Sequence, residues 1–193
     1  MPKITIEKGN IANFSGDAIV VPCDSDLSYK KGNAVIQYFS DAERNNDDYR
    51  QIIDFTLGKI KESKSNLLKE LSAIGHCELG NAIITKAYLF GVKHFIFMPF
   101  FDHNNQENKM DFILLHQALR AAFNLAAIYG INTLAITLPS PKFPEEEAFI
   151  KFAKSMLEIK PKKELQNEEM MNIVIGISEE YTNSSLKEIS IYR

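Results

Sequence analysis

The stretch Gly16-Asp17-Ala18-Ile19-Val20-Val21-Pro22-Cys23-Asp24 decides how the rest of the chain is interpreted. Its centre, Ala18 to Val21, is a continuous apolar run, which is typical of a strand buried on both faces of a sheet. We expect this strand to stop at Pro22, before a polar loop that ends at Gly32 and leads into a helix. In α/β proteins ligands bind at loops that leave the carboxyl ends of central strands. The loop after this strand is therefore the first place to look for a site.

Length and composition indicate an ordinary globular protein. The 193 residues are 45% hydrophobic and 24% charged, which predicts one domain over residues 1–193. The net charge of −3 gives no basic surface of the kind that nucleic acid requires, and no apolar run reaches membrane-spanning length. We therefore expect a cytoplasmic protein with neither a nucleic-acid nor a membrane partner. Cys23 and Cys77 fit reduced thiols, although a bridge between them stays open.

Strand and helix patterns alternate along most of the chain. Residues 3–7 alternate like an edge strand, and further strands are predicted at 81–85, 94–98, 133–138 and 173–177. Helices are predicted to start at Ala34, Asp111 and Pro144, and residues 185–193 form either a short helix or an edge strand. The polar segment 41–66 is either a long surface helix that continues to Gly75 or an insertion. This alternation predicts a three-layer α/β domain.

The order and spacing of several short motifs resemble the macrodomain family, the ADP-ribose-binding module. The resemblance covers the chain from its first strand to Ile177. Its pieces are Lys8-Gly9-Asn10-Ile11, Gly16 to Val20, Gly32-Asn33-Ala34-Val35, Cys77 to Ala87, Lys93 to Ile96, Leu115 to Ile136, and Phe143 to Ala148. None of these pieces is specific alone, so the resemblance rests on their order.

The resemblance implies a mixed sheet of about six strands between helices, with a ligand cleft at the strand ends. The family aspartate that binds the adenine amino group falls on Asn10, whose carbonyl can still accept a hydrogen bond. The family asparagine that faces the distal ribose falls on Asp24. A carboxylate there can bind ribose hydroxyls or act as a general base, which makes Asp24 the candidate catalytic residue.

Both phosphate loops depart from the family pattern. The family's glycine runs are replaced by Ser28 to Asn33, with one glycine, and by Ser140 to Phe143, with none. Bare backbone N–H groups cradle a phosphate only where no side chain blocks the approach. Lys30, Lys31 and Lys142 supply cations beside the expected cleft, whereas Asp24 and Asp26 oppose an anion.

Several residues have a structural interpretation beside the functional one. Asp24 and Asp26 are either a catalytic or metal-binding pair or simple turn residues. The resemblance places Cys77 and its neighbour His76 in a connecting turn, which disfavours a reactive thiol. The cysteines and histidines lack zinc-ligand spacing. Phe97, Phe100 and Phe101 are either core residues, which is the default for such a stripe, or a wall of the cleft.

The sequence leaves three functional hypotheses, of which binding of ADP-ribose or a related nucleotide comes first. The alternatives are an ADP-ribosyl hydrolase that uses Asp24, and a degenerate scaffold that binds a protein partner. We expect neither a cofactor nor a metal. The predicted ligand-binding residues are Asn10, Ile11, Asp24, Gly32, Asn33, Ala34, Val35, Ser140, Lys142 and Phe143.

Overall fold

A computed structural model gives the fold of the protein. It describes residues 1–8, 11, 14–25, 27, 62, 65–88, 91–101, 112–137 and 162–192. Within these ranges no helix is long and apolar enough to cross a membrane. The predicted helix at 34–39, the segment 41–61, the Asp111 cap and the loop and helix start at 139–147 lie outside them.

Six strands form one mixed sheet in the order β1-β6-β5-β2-β4-β3. The strands are β1 (Lys3–Glu7), β2 (Gly16–Asp24), β3 (Ile83–Lys86), β4 (Val92–Phe101), β5 (Thr133–Thr137) and β6 (Glu188–Tyr192). Only the β3–β4 pair of this described sheet is antiparallel, and the other neighbours are parallel. The helices are α1 (residues 65–74), α2 (Phe112–Ile128) and α3 (Lys162–Glu180). The predicted α/β class, the mixed six-stranded sheet and the edge position of β1 are confirmed.

β2 is the central buried strand, as its apolar run predicts. The side chains from Ala18 to Val21 are at most 2% exposed, because neighbouring strands flank β2 and helices cover both faces. The expected end at Pro22 is wrong, since the strand continues to Asp24. Among the described residues, pairing with β5 runs from Ala18 to Val20, and pairing with β4 continues beyond it and places Pro22 opposite Met98. A proline is tolerated where a strand has one paired side and can present its missing N–H to the other.

The helices cover both faces of the sheet. On one face α2 and α3 pack together over side chains of β2, β5 and β6, and this side is called the α2–α3 face. On the other face Leu67 and Leu71 of α1 pack against Ile19, Val21 and Phe95, and this side is called the α1 face. The predicted apolar stripe of α2 is buried throughout, which confirms the helical period there.

Two glycines end helices where the sequence predicts. Gly75 has a φ of 76° and follows α1, and its N–H donates to the carbonyl of Leu71 at 2.9 Å. Gly130 has a φ of 65°, and the next N–H, of Ile131, donates to the carbonyl of Ala126 at 2.9 Å. A positive φ at the residue after the helix, with such a return bond, is the usual C-terminal cap.

The last part of the chain differs from the prediction. Residues 173–177 are not a strand but belong to α3. Met170, Val174 and Ile177 are at most 1% exposed at helical spacing, and packing against α2 overrides the β-branched run. The strand option for residues 185–193 is confirmed by β6, but β6 lies inside the sheet between β1 and β5. Ile189 and Ile191 are fully buried there.

Two glycine substitutions should change stability in opposite directions. We expect Gly16→Ala to lower the free energy of unfolding by about 2 kcal/mol, because a Cβ would overlap the Phe14 ring and lie 2.7 Å from Thr133 Oγ1. Gly176→Ala should raise it by about 0.5–1 kcal/mol, because Gly176 is inside a helix and its Cβ would meet open space. Urea unfolding of both variants measures the difference, and equal effects would contradict it.

Candidate functional site

The strand order makes the carboxyl ends of β2 and β5 the candidate crevice. These two parallel strands are neighbours, with Ala18 opposite Leu134. The next described helix after β2 is α1, on the α1 face, whereas the next after β5 is α3, on the opposite face. Where chains leave adjacent strands toward opposite faces, a crevice opens that commonly holds the ligand. Asp24 and Thr137 end the two strands at this crevice.

The predicted ligand-binding residues follow three strands that end at the same edge of the sheet. Those strands are β1, β2 and β5. They run in the same direction, because β2 pairs parallel with β5, and both β5 and β1 pair parallel with β6. The structure describes Ile11 and the backbone of Asp24. The remaining predicted residues, Asn10, Gly32, Asn33, Ala34, Val35, Ser140, Lys142 and Phe143, lie outside the described residues. Their placement around one ligand and the catalytic role of Asp24 stay predictions.

Ile11 anchors the segment that follows β1. Its side chain is 5% exposed and packs in the core of the α1 face. Its carbonyl accepts a hydrogen bond from the N–H of Phe14 at 3.0 Å. Because the side chain packs in the core, Ile11 would contact a ligand through its backbone.

The segment after β2 is held by two contacts near its start. The register of the pairing with β4 shifts between Cys23 and Asp24, so that Asp24 lies opposite Phe101. The carbonyl of Ser25 then accepts the N–H of Cys77 at 2.8 Å, and Leu27 is 4% exposed with a φ of 53°. A leucine rarely adopts a positive φ, so the packing of its side chain must stabilise this backbone. Strain of this kind is common where a loop is shaped around a site.

Tyr192, whose backbone lies at this edge and whose ring extends back toward Phe14 at the start of β2, was missed by the sequence interpretation. Tyr192 ends β6, opposite Glu7 on one neighbour and Thr137 on the other. Its half-buried ring meets that of Phe14 edge to face, with centroids 6.4 Å apart. Burial raises the pKa of Tyr192, and the charge of Glu7 adds to the rise. Assigning residues 185–193 to an interior parallel strand would have placed this residue at the crevice edge.

The best-defined polar cluster lies at the opposite, amino edge of the sheet. One carboxylate oxygen of Asp17 accepts the N–H groups of Asn132 and Thr133 at 2.9 and 3.1 Å. The other accepts a hydrogen bond from Lys93 Nζ at 2.7 Å, and the N–H of Asp17 donates to Thr133 Oγ1 at 2.8 Å. Burial alone would raise the pKa of Asp17, but these hydrogen bonds lower it from 3.8 to about 2. This cluster ties β2 to the start of β5 and is structural.

The sulfur and aromatic candidates lie in the core. Cys23 and Cys77 are both buried, and they do not form the disulfide that the sequence left open. Burial raises the pKa of the Cys77 thiol, and Glu78 raises it further, which disfavours a reactive thiolate. Among the described residues no three His, Cys, Asp or Glu side chains form a group that could hold a metal ion. Phe97 and Phe100 are 1% and 3% exposed, so the core assignment of these two is confirmed.

Solved structures resemble this chain over nearly its whole length. A Trypanosoma brucei macrodomain in complex with ADP-ribose matches with a TM-score of 0.61 and 14% identity, covering 98% of this chain and 62% of that chain. The macrodomain of Mycobacterium tuberculosis DarG matches with a TM-score of 0.58 and 13% identity, covering 100% and 98%. The macro domain of ganglioside induced differentiation associated protein 2 gives 0.58 and 13%, covering 98% and 76%.

Two further findings limit what this structural likeness shows. The chain spans about three fifths of the length of the trypanosome chains, which it covers to 60% and 62%. Neither a protein-family model nor a curated protein matches the sequence. The identities are low, so the likeness is one of architecture. The chain has the macrodomain fold, as the order of its motifs predicted.

Proposed function

We propose that the protein binds ADP-ribose or a related nucleotide diphosphate in the crevice at the carboxyl ends of β2 and β5. The observation that carries the proposal is the match of this fold to structures solved with ADP-ribose and with ADP. The strand order supports it independently, because the next described helices after the neighbouring strands β2 and β5, α1 and α3, cover opposite faces of the sheet. A nucleotide diphosphate is long enough to pass several strand ends, which suits predicted contacts after β1, β2 and β5.

The ligand is proposed to lie across the strand ends in a defined direction. The adenine lies near Asn10, on the segment that buried Ile11 holds in place. The diphosphate passes between residues 32–35 and 140–143, where Lys142 supplies a cation in place of the glycine-rich loops. The distal ribose approaches Asp24 at the end of β2.

Tyr192 is proposed as an aromatic wall for the adenine. Its ring is half-buried, and it ends a strand beside β1 at the carboxyl edge of the sheet. Stacking of a base on an aromatic side chain contributes about 1–3 kcal/mol and needs no hydrogen bond. Such a contact would offset part of the interaction lost with the family's charged aspartate, which is Asn10 here.

Calorimetric titration of the purified chain with ADP-ribose tests the proposal. We expect saturable heat at about 0.1 mM protein, weaker heat with ADP and weaker still with ribose 5-phosphate, because each smaller ligand loses contacts along the crevice. Absence of heat with ADP-ribose at that concentration, from folded protein, would contradict the proposal. Equal affinity for ribose 5-phosphate and ADP-ribose would contradict the adenine contacts.

Two substitutions at Tyr192 separate its ring from its hydroxyl. We expect Tyr192→Ala to weaken ADP-ribose binding about tenfold, since the stacking surface is lost. Tyr192→Phe keeps the ring and should bind within about twofold of the original chain. Affinities of both variants for ADP-ribose measure the effect. If the alanine variant binds as tightly as the phenylalanine variant, Tyr192 is not part of the site.

A further inference from the structure

In the part of the sheet that the structure describes, β1 is an edge strand with a defined set of outward backbone groups. It is the last strand of the sheet, next to β6. The N–H of Lys3 donates to the carbonyl of Lys187 at 2.8 Å, so the backbone groups of Lys3 face β6. Backbone groups alternate in direction along a strand, so the N–H and C=O of Ile4 and Ile6 point away from β6. These four groups can pair with another strand.

The side chains of β1 carry opposite charges at equal distances from the centre of the strand. Lys3, Thr5 and Glu7 lie on the α1 face, where Thr5 contacts Ser190 at 3.2 Å. The cation and the carboxylate stand two residues on either side of Thr5, and the Lys3 side chain is 75% exposed. On the other face Ile6 is 53% exposed, which is unusual for an isoleucine next to the core.

We propose that the free edge of β1 pairs with β1 of a second copy of this chain, antiparallel, about a two-fold axis at Thr5. In this register Lys3 of each copy faces Glu7 of the other, and the charges are complementary on both sides of the axis. Ile4 of each copy faces Ile6 of the other and exchanges both backbone hydrogen bonds with it. The pairing covers the exposed Ile6 side chains and extends the two sheets into one.

The charge pattern selects this register over its neighbours. An axis at Thr5 pairs all five residues of β1, whereas an axis at Ile4 or Ile6 pairs only three of them. An axis at Lys3 would bring two lysines together, and an axis at Glu7 would bring two carboxylates together, which is unfavourable. Only the axis at Thr5 combines full overlap with opposite charges.

The proposed contact is small, and it leaves the candidate crevices open. Five paired residues bury less surface than a standard stable interface, so we expect a dissociation constant of about 0.1–1 mM. The two β1 strands run in opposite directions, so the carboxyl edges of the two sheets face opposite ways. Self-association is therefore independent of the proposed nucleotide binding.

Charge reversal tests the pairing by sedimentation at protein concentrations from about 0.02 to about 1 mM. We expect reversible dimers, a dissociation constant about tenfold higher for Lys3→Glu, and recovery in the double variant Lys3→Glu/Glu7→Lys. Lys69→Glu is the matched control, because it makes the same charge change on an exposed position of α1. A chain that stays monomeric at the highest concentration, or a double variant that does not recover, would overturn the proposal.

Engineered cysteines test the register directly under mild oxidation. Residues that face each other at a non-hydrogen-bonded antiparallel position lie close enough for a disulfide. We expect Thr5→Cys to form a cross-linked dimer with itself. Lys3→Cys and Glu7→Cys should each cross-link poorly alone and efficiently when mixed. The unmodified chain, whose two cysteines are buried, is the control. Self-linking of Lys3→Cys that equals that of Thr5→Cys would overturn the register.

Discussion

Asp17→Ala is expected to lower the free energy of unfolding by about 3 kcal/mol at pH 7. The Asp17 carboxylate is 16% exposed and accepts the N–H groups of Asn132 and Thr133. Alanine provides no acceptor, and each donor left without a partner costs about 1–3 kcal/mol. These donors lie at the start of β5, beside β2. Loss of the Asp17 carboxylate therefore also loosens the pairing of the two strands that flank the candidate crevice. Urea unfolding at pH 7 measures the change.

Lys93→Gln is the matched control for the ion pair alone. Lys93 donates to the same carboxylate, but its side chain is 74% exposed, so water replaces much of what is lost. We expect a cost below about 1 kcal/mol for Lys93→Gln. If Lys93→Gln destabilises the protein as much as Asp17→Ala, the ion pair rather than the backbone hydrogen bonds dominates the cluster.

The lowered pKa of Asp17 also predicts how stability depends on pH. Its pKa is about 2 in the folded protein against 3.8 for the ordinary carboxyl, so the folded state favours the charged form. The resulting stabilisation is fully present above the unfolded value and is lost as the pH falls from about 4 to about 2. Its size is up to roughly 2 kcal/mol. Asp17→Asn should therefore show a smaller loss of stability than the original chain between pH 4 and pH 2.

The elements that were predicted well are those whose burial follows from a pattern in their own sequence. The apolar run of β2 and the stripe of α2 each need only a local period to be recognised. Gly75 and Gly130 end helices through a positive φ that glycine adopts without strain. In each case the residues that determine the element are neighbours in the chain.

The elements that were mispredicted depend on partners that are distant in the chain. Residues 173–177 have a β-branched run that favours a strand, yet α2 gives this segment a surface to pack on as a helix. β6 is an interior strand because β1 and β5 flank it on both sides, and its short polar-flanked sequence does not indicate this. Pro22 stays within β2 because pairing with β4 continues through it, which is again a property of the assembled sheet.

The same distinction applies to the candidate site. The sequence predicts which edge of the sheet to examine, because motif order fixes the strands from which the loops leave. It does not predict that Tyr192 stands at that edge, because this depends on the register between β6 and its neighbours. It also does not predict that the side chain of Ile11 is used by the core rather than offered to a ligand.

The burial of Ile11 leads to an expected result that links stability to binding. We expect Ile11→Ala to lower the free energy of unfolding by about 3 kcal/mol, since the side chain is 5% exposed within the core of the α1 face. We also expect ADP-ribose to bind at least about tenfold more weakly to the folded variant. The reason is that Ile11 is the buried anchor of the segment after β1, and Asn10 can meet the adenine only while that segment is held.

Leu119→Ala distinguishes this effect from general destabilisation. Leu119 is 1% exposed on the α2–α3 face, so its truncation should cost a similar 2–5 kcal/mol of stability. It packs in the core of the face opposite to that of Ile11, so the affinity for ADP-ribose should stay within about twofold. Titrations of both variants under conditions where each is fully folded give the comparison. Equal weakening would mean that binding follows global stability, and unchanged binding in both would mean that the segment after β1 does not contact the ligand. A loss of ADP-ribose affinity in Ile11→Ala alone would instead show that a core side chain determines a ligand contact that it does not itself form.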